Sequence, residues 1–322
     1  MTLRSSALRG YPASIPAAAY VFVGFSIILV LFVPHFAAPA NIINVLRVAS
    51  ILALAACGQA IVISTGGIDF SVSSSVALTS VVTVYALTSG WSAPWAFLFG
   101  CGSSVVIGAA NGVLVALFRL PPFLVTLGML IGVHGLASVI VGGIPLEAPS
   151  FASFGWLARG TLAGIPVPIV LALIGAVVTQ IVFAKTSLGR RWCLVGANLR
   201  AAELAGIDVR ITLVRAYIVA SLFYALAGAI LTSRVGSGQP NLYPNLSFEA
   251  IAACAVGGIS LSGGKASGLQ AVLGTAIIAF LSNAIILLNI SVAAQYALVG
   301  AVIIAAVLLQ KVRIGRRLWH AA

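Results

Sequence analysis

KTSLGRRWCLVGANLRAAELAGIDVRITLVR, Lys185 to Arg215, is the stretch on which the fold turns, because it is the exception to everything around it. It holds Lys185, Arg190, Arg191, Arg200, Glu203, Asp208, Arg210 and Arg215, eight charged residues in a chain with only 17 basic and five acidic ones. The flanking sequence is almost wholly apolar. A basic island of this kind needs water, and it is the natural place for a soluble partner to grip an otherwise water-averse protein.

The 322 residues are 61% hydrophobic and 7% charged, whereas a soluble domain carries roughly 25% charged residues. Lipid must therefore be the main solvent. One crossing takes about 20 apolar residues, so the length allows about ten crossings and no separate soluble domain. The chain reads as one transmembrane domain over 1–322, with 185–215 as its polar connector. The net charge of +12 is distributed as a membrane protein's loop charge, not as a nucleic-acid patch. Cys57, Cys101, Cys193 and Cys254 form no CxxC pair, and three of them fall in apolar runs where a thiol acts as a small hydrophobe. The first apolar run, 15–33, exceeds the about 7–15 residues of a signal-peptide core and is expected to stay as a crossing.

Apolar runs and their Gly and Pro punctuation predict helices over 15–33, 41–64, 72–88, 95–118, 123–141, 166–184, 213–232, 247–261, 268–288 and 292–310. With ten crossings both ends share one side. That side then holds Arg4, Arg9, Arg119, the six basic residues of the connector, Lys265, Lys311, Arg313, Arg316 and Arg317, which is 14 of the 17 basic residues. The other side holds Arg47, Arg159 and Arg234. The imbalance puts both ends and the connector in the cytoplasm. On the outside, 142–165 and 233–246 are long enough either to meet an external partner or to be ordinary solvated turns.

Two glycine-broken segments carry the next signal. Ser64-Thr-Gly-Gly-Ile-Asp-Phe-Ser71 and Val256-Gly-Gly-Ile-Ser-Leu-Ser-Gly-Gly264 share a Gly-Gly-Ile-Asp/Ser pattern, once in each half, which is either a two-fold internal repeat with irregular backbone at the breaks or two tight cytoplasmic turns. Asp69 either serves function, as charge near a span usually does, or caps the helix after it. Glu249 is the other carboxylate near an apolar span. Gly108 and Gly112 make a GxxxG packing face. Asn111, Gln180, Asn283 and Gln295 either touch a cargo or bond between helices. Lys265 after Gly264 fails the phosphate-loop pattern, since position 259 is Ile and 266 is Ala. His134 stands alone. The spans offer almost none of the buried carboxylates or histidines of an ion-driven carrier.

Within the connector, Leu188-Gly-Arg-Arg191 reads as the end of a turn and 196–207 as a short helix. Asn198 is its N-cap, Gly206 its C′ stop, and Arg200 and Glu203 are spaced to pair. Such a helix either docks a cytosolic partner or rests on lipid headgroups.

Gly-Gly-Ile-Asp-Phe-Ser-Val at 66–72, Gly-x-Asn-x-x-Ala-Ala-x-x-x-Gly-Ile at 196–207 and Glu-Ala-Ile-Ala-Ala-Cys-Ala-Val-Gly-Gly-Ile-Ser-Leu-Ser-Gly-Gly at 249–264 occur in that order. Together they resemble the permease subunits of ribose-type bacterial ABC importers, with the branched-chain amino acid permeases as more distant relatives. The resemblance implies an all-α inner-membrane permease without enzymatic activity or cofactor of its own. It implies a second identical or related permease, cytoplasmic ATPases that bind ATP and Mg, and a periplasmic binding protein. It assigns coupling to Gly196, Asn198, Ala201, Ala202, Gly206 and Ile207, with the usual acid and base exchanged as Arg200 and Glu203. The exchange implies a co-adapted ATPase. Other departures are Ser73, where the family usually has Gly, and Lys265-Ala266-Ser267 in place of a Gly-Ser continuation. Gly66, Gly67, Asp69, Ser71, Asn111, Gly257, Gly258 and Asn283 are the residues expected along the pathway or its gates. The expected cargo is a monosaccharide or related polyol. The alternatives are branched-chain amino acids, nucleosides or a signalling molecule, and, outside this family, ion-coupled secondary transport.

Overall fold

A computed structural model of the chain describes residues 16–149 and 152–308, apart from 292, 296, 299, 303, 306 and 307. Arg4, Arg9, the four basic residues from Lys311 to Arg317 and much of the predicted helix 292–310 lie outside the described residues. The elements in order are α1 Ala17–Phe32, α2 Pro39–Ser64, α3 Val72–Thr88, α4 Ala93–Ala116, α5 Pro122–Ile140, β1 Leu146–Glu147, α6 Ala152–Arg159, β2 Thr161–Leu162 and β3 Ile165–Pro166. They continue with α7 Val167–Lys185, α8 Ser187–Ala197, α9 Leu199–Leu204, α10 Val209–Val235, β4 Ser237–Gly238, α11 Leu246–Val256 and α12 Gly268–Leu287. Among the described residues, six helices are long and apolar enough to cross a membrane: α2, α4, α5, α7, α10 and α12. α1, α3, α11 and Ala293–Val302 are shorter apolar helices.

Proline starts several of these helices. Pro39, Pro94, Pro122 and Pro168 each occupy a first-turn position, where the missing N–H costs nothing. α2 is the hub, 83% buried along its apolar window, against 22% for α5 and 28% for α7. Its core face is built largely of small residues (Ala53, Ala55, Ala56, Cys57, Ala60), which let neighbouring backbones approach. The GxxxG of α4 works the same way. A methyl on Gly108 would meet the Tyr217 carbonyl at 2.7 Å, and one on Gly112 the Val214 Cα at 2.8 Å, so both glycines admit α10. The outward faces of α1, α5 and α7 are exposed Val, Leu, Ile and Phe, as lipid contact requires.

The connector departs from expectation. Residues 188–191 are not a turn but part of α8, capped by Thr186, whose hydroxyl accepts from the Gly189 N–H at 3.2 Å. Gly189, Trp192 and Val195 are buried at helical spacing while Arg190 and Arg191 point to solvent. Trp192 is the anchor: it is fully buried, packs edge-on against Phe183 and donates its indole N–H to the Thr212 carbonyl at 3.2 Å. α11 ends at Val256 rather than 261. The two long loops on the side opposite the connector are tied together by an antiparallel ladder, with Leu146 opposite Gly238 and Glu147 opposite Ser237.

Candidate functional site

Three helices of the connector end stop in the same way. In α2, α9 and α11 a glycine at C′ takes a left-handed conformation: Gly66 (φ 85°), Gly206 (φ 77°) and Gly258 (φ 91°). In each, the C″ N–H reaches back to C3 and the C′ N–H to C2, the Schellman pattern. The bonds are Gly67 to Val62 (3.3 Å) and Gly66 to Ile63 (2.9 Å), Ile207 to Ala202 (3.0 Å) and Gly206 to Glu203 (2.9 Å), Ile259 to Cys254 (2.9 Å) and Gly258 to Ala255 (3.1 Å). The two Gly-Gly-Ile copies therefore close their helices one residue out of register, on the first glycine at 66 and the second at 258.

Three chain segments then meet at one seam. The Gly264 N–H donates to the Ser64 carbonyl at 3.0 Å, joining the break after α2 to the break after α11. Gly196, near the end of α8, lies over that bond. A Cβ there would overlap the Ser64 carbonyl and lie 2.9 Å from the Gly264 nitrogen. A Cβ on Gly263 would sit 2.7 Å from the Gly196 carbonyl and 2.9 Å from the Gly66 Cα. Gly196, a predicted coupling residue, is thus in direct contact with both breaks. Cys193, one turn earlier in α8, packs against Ala266. Burial raises its thiol above the ordinary value, which the Ala266 backbone N–H only partly offsets.

α9 rests on the bundle through Ala202 and displays everything else. Asn198 accepts the Ala201 N–H at 3.0 Å as its N-cap. Ala202 is buried and Ile207 half-buried, whereas Arg200, Ala201, Glu203 and Gly206 are exposed, with Leu199 50% and Leu204 80% exposed. A cavity of about 560 Å³ separates α9 from the Gly66-Gly67 turn and from Leu120-Pro121, lined also by Arg119, Arg200, Glu203 and Arg210. Among the described residues, Arg200 and Glu203 are not joined by an ion pair, although their spacing allows it.

The break between α2 and α3 is buried, and side chains from α2 itself and from three other helices, α4, α5 and α11, help hold it. Asp69 does not cap α3, whose N-cap is Ser71. Its carboxylate instead accepts the Ser71 N–H at 2.8 Å and the Ser71 hydroxyl at 2.6 Å. Asn111 of α4 donates to that hydroxyl at 2.9 Å. The Gln59 amide, oriented to suit its neighbours, accepts the Asp69 N–H and donates to the Asp69 carbonyl, both at 3.1 Å. Thr126 of α5 donates to the Ile68 carbonyl at 3.1 Å, and Ser247 of α11 to the Phe70 carbonyl at 2.7 Å. Ser247 also accepts the Ser73 N–H at 3.0 Å and bonds its hydroxyl at 2.7 Å, so Ser73 adds a tie between α3 and α11. Irregular backbone at membrane depth persists only when satisfied in this way. The Asn111 Oδ1 and the Tyr217 hydroxyl are buried nearby without partners.

The remaining predicted pathway residues are not drawn into that cluster. Gly257 admits the Gln270 carbonyl of α12, and Gly258 accepts from the Gln270 amide at 3.2 Å. Asn283 exchanges hydrogen bonds with Asn41 at 3.0 Å, near the end of the bundle opposite the connector. Gln180 accepts from Ser267 and Leu269. Beside Asn283 lies a cavity of about 90 Å³ between α2, α11 and α12, lined by Asn44, Tyr243, Glu249, Ser282 and Asn283. Glu249, 4% exposed, accepts the Tyr243 hydroxyl at 2.6 Å. Of these five only Asn283 is among the pathway residues read from the sequence. The signal for Glu249 was its position as a carboxylate opening an apolar span; Asn44 and Ser282 look like any polar residue in a helix.

A sequence profile described as branched-chain amino acid transport system / permease component matches residues 41–307. The chain belongs to this permease family. Among the permease's relatives, the ribose import permease protein RbsC of Bacillus subtilis is 38% identical over 289 residues, 88% of this chain and 89% of that one. The galactofuranose transporter permease protein YtfT of Escherichia coli is 34% identical over 248 residues, 76% and 72% of the two chains. The L-arabinose transport system permease protein AraH of the same organism is 32% identical over 293 residues, 90% and 88%. No solved structure matches the permease.

Proposed function

We propose that the permease pairs with an identical or related copy to form the pathway of an ATP-driven, binding-protein-dependent importer of a monosaccharide or related polyol. Its relatives named for ribose, galactofuranose and arabinose support the cargo class. The chain spans the bacterial inner membrane ten times, counting the run that ends near 310, with both ends and the connector in the cytoplasm. Its halves form an inexact repeat, each with one break. ATPases binding ATP and Mg dock on α9, and a periplasmic binding protein delivers solute at the opposite end.

The observation that carries the coupling half is the seam. α9 is displayed to solvent on a rigid capped turn, and α8 behind it ends on the hydrogen bond between Ser64 and Gly264. A shift of α8 therefore acts on both breaks together. The bias comes from the differential affinity of ATP for the two orientations of the pathway, because a ligand indifferent to the two states moves nothing. Close-packed glycine contacts favour two discrete arrangements over gradual deformation. Arg200 and Glu203, exchanged relative to the family habit, set the charge that the ATPase must match. Asp69, Ser71 and Asn111 stiffen the first break, and Gly257 and Gly258 allow the second to move against α12.

Reconstitution tests this reading. Proteoliposomes holding the permease, its ATPase and its binding protein are expected to take up labelled ribose or arabinose only with ATP on the connector side. Uptake driven by a sodium or proton gradient without ATP contradicts it.

A further inference from the structure

We infer that the cavity between α2, α11 and α12 is a solute-binding subsite of this chain, sized at about 90 Å³ for one hydroxyl-bearing edge of a neutral polyhydroxylated molecule; this rests on the importer reading above. Three observations carry it. First, its polar lining is out of place in lipid. Glu249 is buried and engaged through one carboxylate oxygen by Tyr243 at 2.6 Å, and Asn44, Ser282 and Asn283 share the same walls. A carboxylate and carboxamides within a membrane bundle face a partner or a water-filled path, because exposure to hydrocarbon costs too much. Second, the Ser282 hydroxyl is buried without a hydrogen-bond partner, so the polar groups around this cavity are not fully satisfied from within the bundle. Third, the position suits entry. Asn44 and Asn283 lie within about 8 Å of the helix ends opposite the connector, at about 1.5 Å per residue.

The lining also selects the ligand class. A carboxylate accepts from sugar hydroxyls, carboxamides both donate and accept, and Val48 and Ile286 offer apolar wall for the C–H face of a ring. Among the described residues no Lys or Arg lines the cavity; Arg234 reaches only the Asn44 side chain, to which it donates at 3.1 Å. A zwitterionic amino acid would leave its carboxylate without a cation there.

The test uses the complete transporter in proteoliposomes and reads ATP-dependent initial uptake of labelled ribose, arabinose and leucine, with co-purification of the ATPase as the folding control. Glu249→Gln is expected to lower uptake of at least one sugar by about tenfold and to change the ribose-to-arabinose ratio. A merely structural role would lower both sugars in proportion. Ser282→Leu, which fills the cavity, is expected to block both sugars, and it decides the matter alone if Glu249→Gln fails to assemble. Rates for both variants within about twofold of the wild type, or an unchanged sugar ratio in Glu249→Gln, overturn the subsite and leave the importer reading standing. Wild-type uptake of leucine in place of both sugars overturns the ligand class. Wild-type uptake of none of the three overturns the importer reading and the subsite with it.

Discussion

The backbone N–H of Gly264 donates to the carbonyl of Ser64 at 3.0 Å, so two helix breaks from opposite halves of the chain share one hydrogen bond. Gly196 lies against both partners of that bond, and nothing larger than hydrogen fits on its Cα. Such a bond contributes only about 0.5–1.5 kcal/mol net. Its importance is positional: it lies between the solvent-exposed connector and the buried backbone of the first break.

Losing the cap of α9 should loosen the proposed docking element without disturbing the bundle. Asn198→Ala removes the acceptor for the Ala201 N–H, a loss of about 1 kcal/mol. The expected outcome is faster amide exchange over 199–204 and roughly fivefold weaker ATPase binding, both restored by Asn198→Ser. Unchanged exchange would show that packing of Ala202 alone holds the turn.

Charge on α9 should be read by the ATPase. The double substitution Arg200→Glu/Glu203→Arg leaves the charge sum unaltered and reverses its order along an exposed surface. It is expected to weaken association with the permease's own ATPase, and more so at low salt than at high salt. Equal coupling by the double variant at both salt concentrations would remove the co-adapted partner from the account.

The α3–α11 tie predicts an asymmetry between two serines. Ser247→Ala strips partners from the Phe70 carbonyl and the Ser73 N–H at once, whereas Ser73→Ala removes one hydroxyl from the pair. Each buried group left unsatisfied costs about 1–3 kcal/mol. Thermal unfolding in detergent should therefore fall further for Ser247→Ala than for Ser73→Ala. The double variant should resemble Ser247→Ala, because the two hydroxyls share one network. Equal losses that add would contradict the shared tie.

Much of the helix pattern is legible in the sequence. Val72–Thr88 is read to the residue, because glycine punctuation brackets a run that carries no charge. The caps on Asn198 and Gly206 are legible too, since they depend only on local chemistry. α8 is misread because Gly189 and two arginines look like a turn, while the buried Trp192 and Val195 betray a helix only once Phe183 and the α10 backbone are there to cover them. The seam is invisible in the linear order, since no local signal says that Gly66, Gly196 and Gly263 touch. The same holds for Asn283, whose partner Asn41 comes from the far end of the chain.

The most direct measurement is ATP-dependent uptake of labelled ribose by the reconstituted transporter carrying Gly196→Ala. The added methyl must displace the Ser64 carbonyl or the Gly264 N–H, an overpacking cost of about 1–3 kcal/mol applied at the joint itself. The account predicts that the ATPase still binds and still hydrolyses ATP, while uptake falls by about tenfold or more. Uptake equal to that of the wild type, with both partners bound, would contradict the claim that the connector acts through this seam.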